Sequence, residues 1–328
     1  MGLKIKYILM CSLIIMFLLA YTSKPAYAWG PVSHLMLTQE AIARAKTMNA
    51  DSEIIRLITK YQSWFYCGFM FPDVTVIKYY TEFKSYHNTH VLTFYDTLWK
   101  FAVEKNSEQA KAFVIGVGTH LIQDSIVHNY YIPAKIKNTL IQNSVIHPVT
   151  EGVIESKFIS NNVTAQQLAI NSFSMYQSPF TDMDPQLTPV EFVKQAFGGS
   201  ETYDYENQAN TFSTLLGSKN TIYGEGGYWV PSGGLEGLWG LYKSFAGVLQ
   251  NFLSVSDYEQ FREKTVEQTA EWYAYGSPTA DGLNSYMNQL DPSGIDSLRS
   301  ADSYVVQWFF VIAIITSLLA FVYYKRKK

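Results

Sequence analysis

Apolar residues recur at helical intervals along most of the chain. Leu35, Ala41, Ile42 and Ala45 form one such set, and Ile54, Ile55, Leu57, Ile58 and Tyr61 a second. Ser107 is placed to cap a long helix that runs to about Tyr131 and is closed by Pro133. Gly116 and Gly118 inside that helix each weaken it by roughly 1 kcal/mol, a cost usually tolerated where another backbone must come close. Further helical runs cover 143–159, 235–253 and 258–275, and no stretch alternates with the period of a strand. The pattern predicts an all-α, multi-helix domain. Between 198 and 240 the texture loosens: YGEGGYWVPSGGLEGLWG carries seven glycines and one proline, which predicts irregular loops at the surface or walling a cleft.

Both ends of the chain carry apolar runs of a different kind. Lys4 and Lys6 precede the run 7–20, and Ala26, Tyr27 and Ala28 offer small residues at the −3 and −1 positions of a signal peptidase cut. Residues 1–28 are therefore expected to be a removed signal peptide, because the run is shorter than the ~20 residues that span a bilayer. At the other end, YVVQWFFVIAIITSLLAFVYY (304–324) is uncharged, edged by tyrosines, and followed by Lys325, Arg326, Lys327 and Lys328. It reads as one C-terminal transmembrane helix with a basic cytoplasmic tail, 325–328. Residues 29–275 would then form a domain outside the cell membrane, joined by a stalk, 276–303, rich in Ser, Asp, Gly and Asn.

Net charge is −3, which offers no broad cationic surface for nucleic acid. Cys11 would leave with the signal and Cys67 would remain alone, so no intrachain disulfide staples the exported domain. Packing, bound metal, or both must hold it.

The metal possibility has a sequence basis in THLIQDSIVHNYY. His120, Asp124 and His128 follow one another at four-residue intervals and project from one helix face. An ionised carboxylate on an apolar stripe is costly to bury unless a cation or strong donors meet it. His120 and His128 lie roughly 12 Å apart along the axis, too far to share one ion whose ligands each sit about 2 Å away. The spacing thus predicts a multinuclear site. His147 and Glu151 repeat the four-residue spacing, with Glu155 one turn further; Asp73 follows Pro72, which is expected to interrupt its helix, and His87 and His90 are both candidates.

WGPVSH, FPD, NTH, HLIQDSIVH and HPVTE, in that order, resemble the motifs of the zinc-dependent phospholipase C and single-strand nuclease superfamily. The resemblance covers roughly 29–275 and implies a helical domain holding three zinc ions. Carried over, it implies one site of Trp29 (through its freed α-amino nitrogen and carbonyl oxygen), His34 and a bridging Asp124. A second would use Asp73, His90, His120 and Asp124, and a third His128, His147 and Glu151. His87 is left over. Asp73 would also orient or deprotonate the nucleophile. The interval of four between Asp124 and His128 resembles the N-terminal domain of glycosylphosphatidylinositol-specific phospholipase D, whereas secreted phospholipases and fungal nucleases have six.

Clustered divalent ions suit phosphodiester hydrolysis because they acidify a bound water toward neutrality and neutralise phosphate oxygens. The leading expectation is a membrane-anchored, phospholipase C-like hydrolase of phospholipids or related phosphodiesters. The alternatives are a single-strand nuclease, for which Trp229 and Trp239 could stack bases, and a non-catalytic surface protein stabilised by zinc.

Overall fold

The computed structural model describes residues 31–76, 91–126, 168, 171–172, 174–198 and 258–290. Among these residues the secondary structure is helical and contains no strand. The first helices are α1 (Pro31–Met48), α2 (Glu53–Lys60), α3 (Gln62–Val76), α4 (Val91–Glu104) and α5 (Glu108–Ile126). After a 3-10 turn at Met175–Gln177 come α6 (Pro189–Ala196), α7 (Tyr258–Tyr275) and α8 (Ala280–Met287).

Helix α5 is the centre of the domain. Every residue from Ala112 to Asp124 is buried, as expected of a helix that is apolar on all sides. Its start is fixed by Ser107, whose Oγ accepts the Ala110 amide at 2.9 Å. Asp182 reinforces that end by accepting from the Gln109 amide at 3.0 Å and the Ser107 hydroxyl at 2.5 Å, placing a negative charge at the positive end of the helix.

Helices α3 and α5 make the most extensive helix pairing. A Cβ on Gly116 would lie 2.1 Å from the Phe65 carbonyl oxygen, and one on Gly68 would lie 1.8 Å from that of Phe113. The close backbone approach expected at Gly116 is therefore present. At Gly118 the neighbours are instead side chains, the Tyr95 ring at 2.7 Å and Trp272 at 3.2 Å. Around this pair Phe113, Phe180 and Phe192 meet edge to face with centroids 5.4–6.1 Å apart, a favoured geometry for aromatic rings.

Two expectations need correction. Helix α3 runs through Pro72 to Val76, so Asp73 lies inside a helix and does not begin one. Proline removes one amide donor while its fixed φ stays helical; buried Phe69, Met70 and Phe71 hold the turn before it against the core. The predicted stalk also folds in part. Helix α8 lies within 276–303, is capped by the Thr279 hydroxyl accepting from the Gly282 amide at 3.2 Å, and buries Leu283 and, just beyond it, Leu290. Tyr95 donates to the Pro278 carbonyl at 2.6 Å from within the core. The packed domain thus extends at least to Leu290. A polar average concealed two well-placed leucines.

Helix α7 lies along α1, with Arg262 bonded to Glu40 and Arg44 to Glu263 at their edges. Helix α2 is clamped to α5 through Glu108, which accepts from Arg56 and Lys60, each at 2.7 Å, and from Tyr61 at 3.0 Å. The Lys60 contact chiefly, then those of Arg56 and Tyr61, hold the Glu108 carboxyl at about 2 against an ordinary 4.5. A carboxyl depressed by folding stabilises the fold fully above its unfolded value and loses that contribution as pH falls toward the folded one. A Glu108→Gln chain should therefore lose less stability than wild type between about pH 4.5 and pH 2, read as urea midpoints. Parallel losses in both chains would contradict this.

No helix among the described residues is long and apolar enough to cross a membrane. The predicted signal peptide, the predicted span 304–324 and its basic tail lie outside those residues, as do the predicted helical runs 143–159 and 235–253.

Candidate metal centre

The chemistry-bearing residues meet where α1 crosses α5. His34, one turn into α1, and His120 and Asp124, one turn apart on α5, are all buried, and one ligand atom from each lies within 4.8 Å of the others. His34 Nε2 is 3.2 Å from Asp124 Oδ1, and His120 Nε2 is 3.3 Å from Asp124 Oδ2. The two imidazoles stack with centroids 4.5 Å apart, and the Phe69 ring meets each of them edge-on at 5.7 Å. The carboxylate thus turns one oxygen to each histidine, under an aromatic wall supplied by α3.

A hydrogen bond on the far side of His34 defines its chemistry. Nδ1 lies 2.8 Å from Gln123 Oε1, an atom that only accepts, so Nδ1 carries a proton. In the neutral ring Nε2 then presents its lone pair toward Asp124. A lone pair facing a carboxylate is repulsive unless a proton or a metal cation lies between them. Two atoms bound to one tetrahedral zinc at about 2.1 Å sit about 3.4 Å apart, whereas a charge-assisted N–H···O bond is ordinarily about 2.7–2.9 Å. The observed 3.2 and 3.3 Å fit the separation of co-ligands. Imidazole nitrogen with carboxylate oxygen is also a donor set that suits zinc.

Of the residues expected at the centre, His34, His120 and Asp124 are brought together. Asp73 is on α3, but its side chain lies outside the described residues. Trp29, His90, His128, His147 and Glu151 also lie outside them, as do His87 and Glu155. Sequence reasoning missed Gln123 and Thr38, which are fully buried beside the cluster. The available signal was that both are polar positions on otherwise apolar faces, Thr38 one turn after His34 and Gln123 one turn after His120. Cys67 takes no part: it is buried in α3 and burial pushes its thiol pKa well up.

A helical domain that buries two histidines against one carboxylate offers a place for a metal ion between its helices. Residues 33–195, about half of the chain, match the profile of the family described as zinc dependent phospholipase C. The chain belongs to that family, part of the zinc-dependent phospholipase C and single-strand nuclease superfamily. No curated protein and no solved structure matches it. The family and the His–His–Asp cluster together fit zinc binding and support a phosphodiesterase-like, hydrolytic function.

Proposed function

We propose that the protein is an exported, membrane-anchored zinc phosphodiesterase of the phospholipase C type, acting on phospholipids or related phosphodiesters. The observation that carries this reading is the buried convergence of His34, His120 and Asp124. Asp124 divides its two oxygens between the two imidazoles, an arrangement that suits one carboxylate shared by two ions. Trp29 would join His34 and Asp124; Asp73 and His90 would join His120 and Asp124; His128, His147 and Glu151 would form a third set. Zinc, when bound, supplies Lewis acidity and a water acidified toward neutral pH.

The remaining work falls to the chain's own residues. Phe69 and the buried faces of α1 and α5 exclude water from one side of the cluster, which strengthens charge interactions inside it. Asp73, an expected ligand, would also hold or take a proton from the attacking water. The liberated α-amino group of Trp29 can ligate only after cleavage behind Ala28, so removal of the signal would complete the site. Anchoring through 304–324 would keep the domain near lipid headgroups and raise their effective concentration.

The test uses the processed chain, 29–328, in mild detergent with added zinc. Release of the phosphorylated headgroup from phosphatidylcholine in mixed micelles should stop on chelation and resume when zinc is restored. Faster cleavage of single-stranded DNA than of lipid would move the reading to a nuclease. Zinc uptake with neither activity would leave a structural metal site.

A further inference from the structure

The hydrogen bond from His34 to Gln123 belongs to a buried polar layer shared by α1, α5 and α7. Between α5 and α7, the Thr119 hydroxyl donates to the Ile115 carbonyl at 2.9 Å and its oxygen accepts from the Tyr273 phenol at 3.1 Å. Between α1 and α5, the Thr38 oxygen accepts from Gln123 Nε2 at 2.9 Å. The amide is thereby oriented with its oxygen toward His34, and His34 Nδ1 must donate to it at 2.8 Å. Thr119, Tyr273, Thr38, Gln123 and His34 are all fully buried, so water does not compete for these bonds.

In this orientation the Gln123 amide donates to Thr38 and accepts from His34. Turned over, it would present NH2 to Nδ1 and leave the His34 proton on Nε2. That would direct a proton, in place of a lone pair, at Asp124.

The geometry points to Gln123 as the residue that positions His34 for metal, with Thr38 orienting Gln123 in turn. This rests on the reading of His34 as a zinc ligand. Partners on the far ring nitrogen of such a histidine fix its tautomer and raise its basicity, and their loss commonly lowers metal affinity about 10- to 100-fold.

The experiment is zinc affinity of the processed chain, 29–328, in mild detergent, measured by competition with a chromophoric chelator, alongside the melting temperature of each chelated variant. Gln123→Leu should bind zinc about 10- to 100-fold more weakly. Thr38→Val should weaken it in the same direction by a smaller factor. Gln123→Glu keeps an acceptor for Nδ1–H; it should hold zinc at least as tightly as wild type although it loses the donor to Thr38 and melts at a lower temperature. Such a reversal between affinity and stability is not produced by a merely structural role. In the zinc-loaded chain the proton on His34 Nδ1 should give a slowly exchanging, downfield resonance in wild type and Gln123→Glu and not in Gln123→Leu. Zinc binding in Gln123→Leu within about twofold of wild type, or equal weakening in Leu and Glu variants, would overturn the inference while leaving the proposed function standing. A wild-type chain that takes up no zinc would overturn both.

Discussion

Asp124→Asn should abolish zinc-dependent hydrolysis while leaving the metal-free fold intact. The carboxylate supplies both oxygens that face His34 and His120. An amide keeps the shape but loses the charge. Charge stabilisation by a metal centre is worth several kcal/mol at the transition state, and at about 1.36 kcal/mol per decade the rate should fall on the order of 10^3-fold or more. The fold should survive because the amide's NH2 can donate to an imidazole lone pair that the carboxylate could not satisfy without a cation. Elemental analysis should show less zinc in Asp124→Asn than in His87→Ala, since His87 is the histidine without an assigned metal. In chelator the variant should melt at or above the wild-type temperature, and added zinc should no longer raise it. Equal metal content in the two variants would contradict the role given to Asp124.

Gly116→Ala should be, with Gly68→Ala, among the most damaging single-methyl insertions in the described core. The added Cβ would meet the Phe65 carbonyl oxygen at 2.1 Å and the Phe69 amide at 2.5 Å. Both are backbone atoms, so no rotamer change can relieve the contact and α3 must move away from α5. Overpacking of a close-packed interior costs about 1–3 kcal/mol, sometimes more, against which alanine regains about 1 kcal/mol of helix propensity. A net loss of about 2 kcal/mol or more is expected from urea unfolding, with backbone contact placing it at the upper end of the overpacking range. Gly198→Ala is the comparison: its φ is +74° and nothing lies within 4 Å of the new methyl, so only backbone strain of about 1 kcal/mol applies. Zinc affinity should fall in Gly116→Ala as well, because α3 carries the Phe69 ring that rests on both imidazoles. A Gly116→Ala chain within about 0.5 kcal/mol of wild type would refute the argument.

How much of this was legible in the sequence depended on distance along the chain. The helix carrying His120 and Asp124, its Ser107 cap and the glycine at its closest contact are local features, and their residue types state them directly. The arrival of His34 beside Asp124 joins residues on different helices and has no periodic signal; the motif resemblance suggested it. Gln123 and Thr38 were passed over for a related reason. Each reads as an ordinary polar position, and only the packing of α1 against α5 gives their donors and acceptors a direction. Pro72 and α8 failed differently. In both cases a local tendency, proline as a breaker and polarity as a linker, was outweighed by burial of nearby aromatic or leucine side chains.

The docking of α8 shortens the leash. If 304–324 crosses a bilayer, the stretch left between the last described residue, Leu290, and that span is 291–303, whose covalent limit is about 45 Å at ~3.5 Å per residue. That limit would keep the domain close to the lipid surface, with little freedom to search beyond it. Severing the chain at Gly276 to free the domain would also strip the Tyr95 phenol of its Pro278 acceptor and uncover the face that Leu283 occupies. A soluble ectodomain has to keep everything through Leu290.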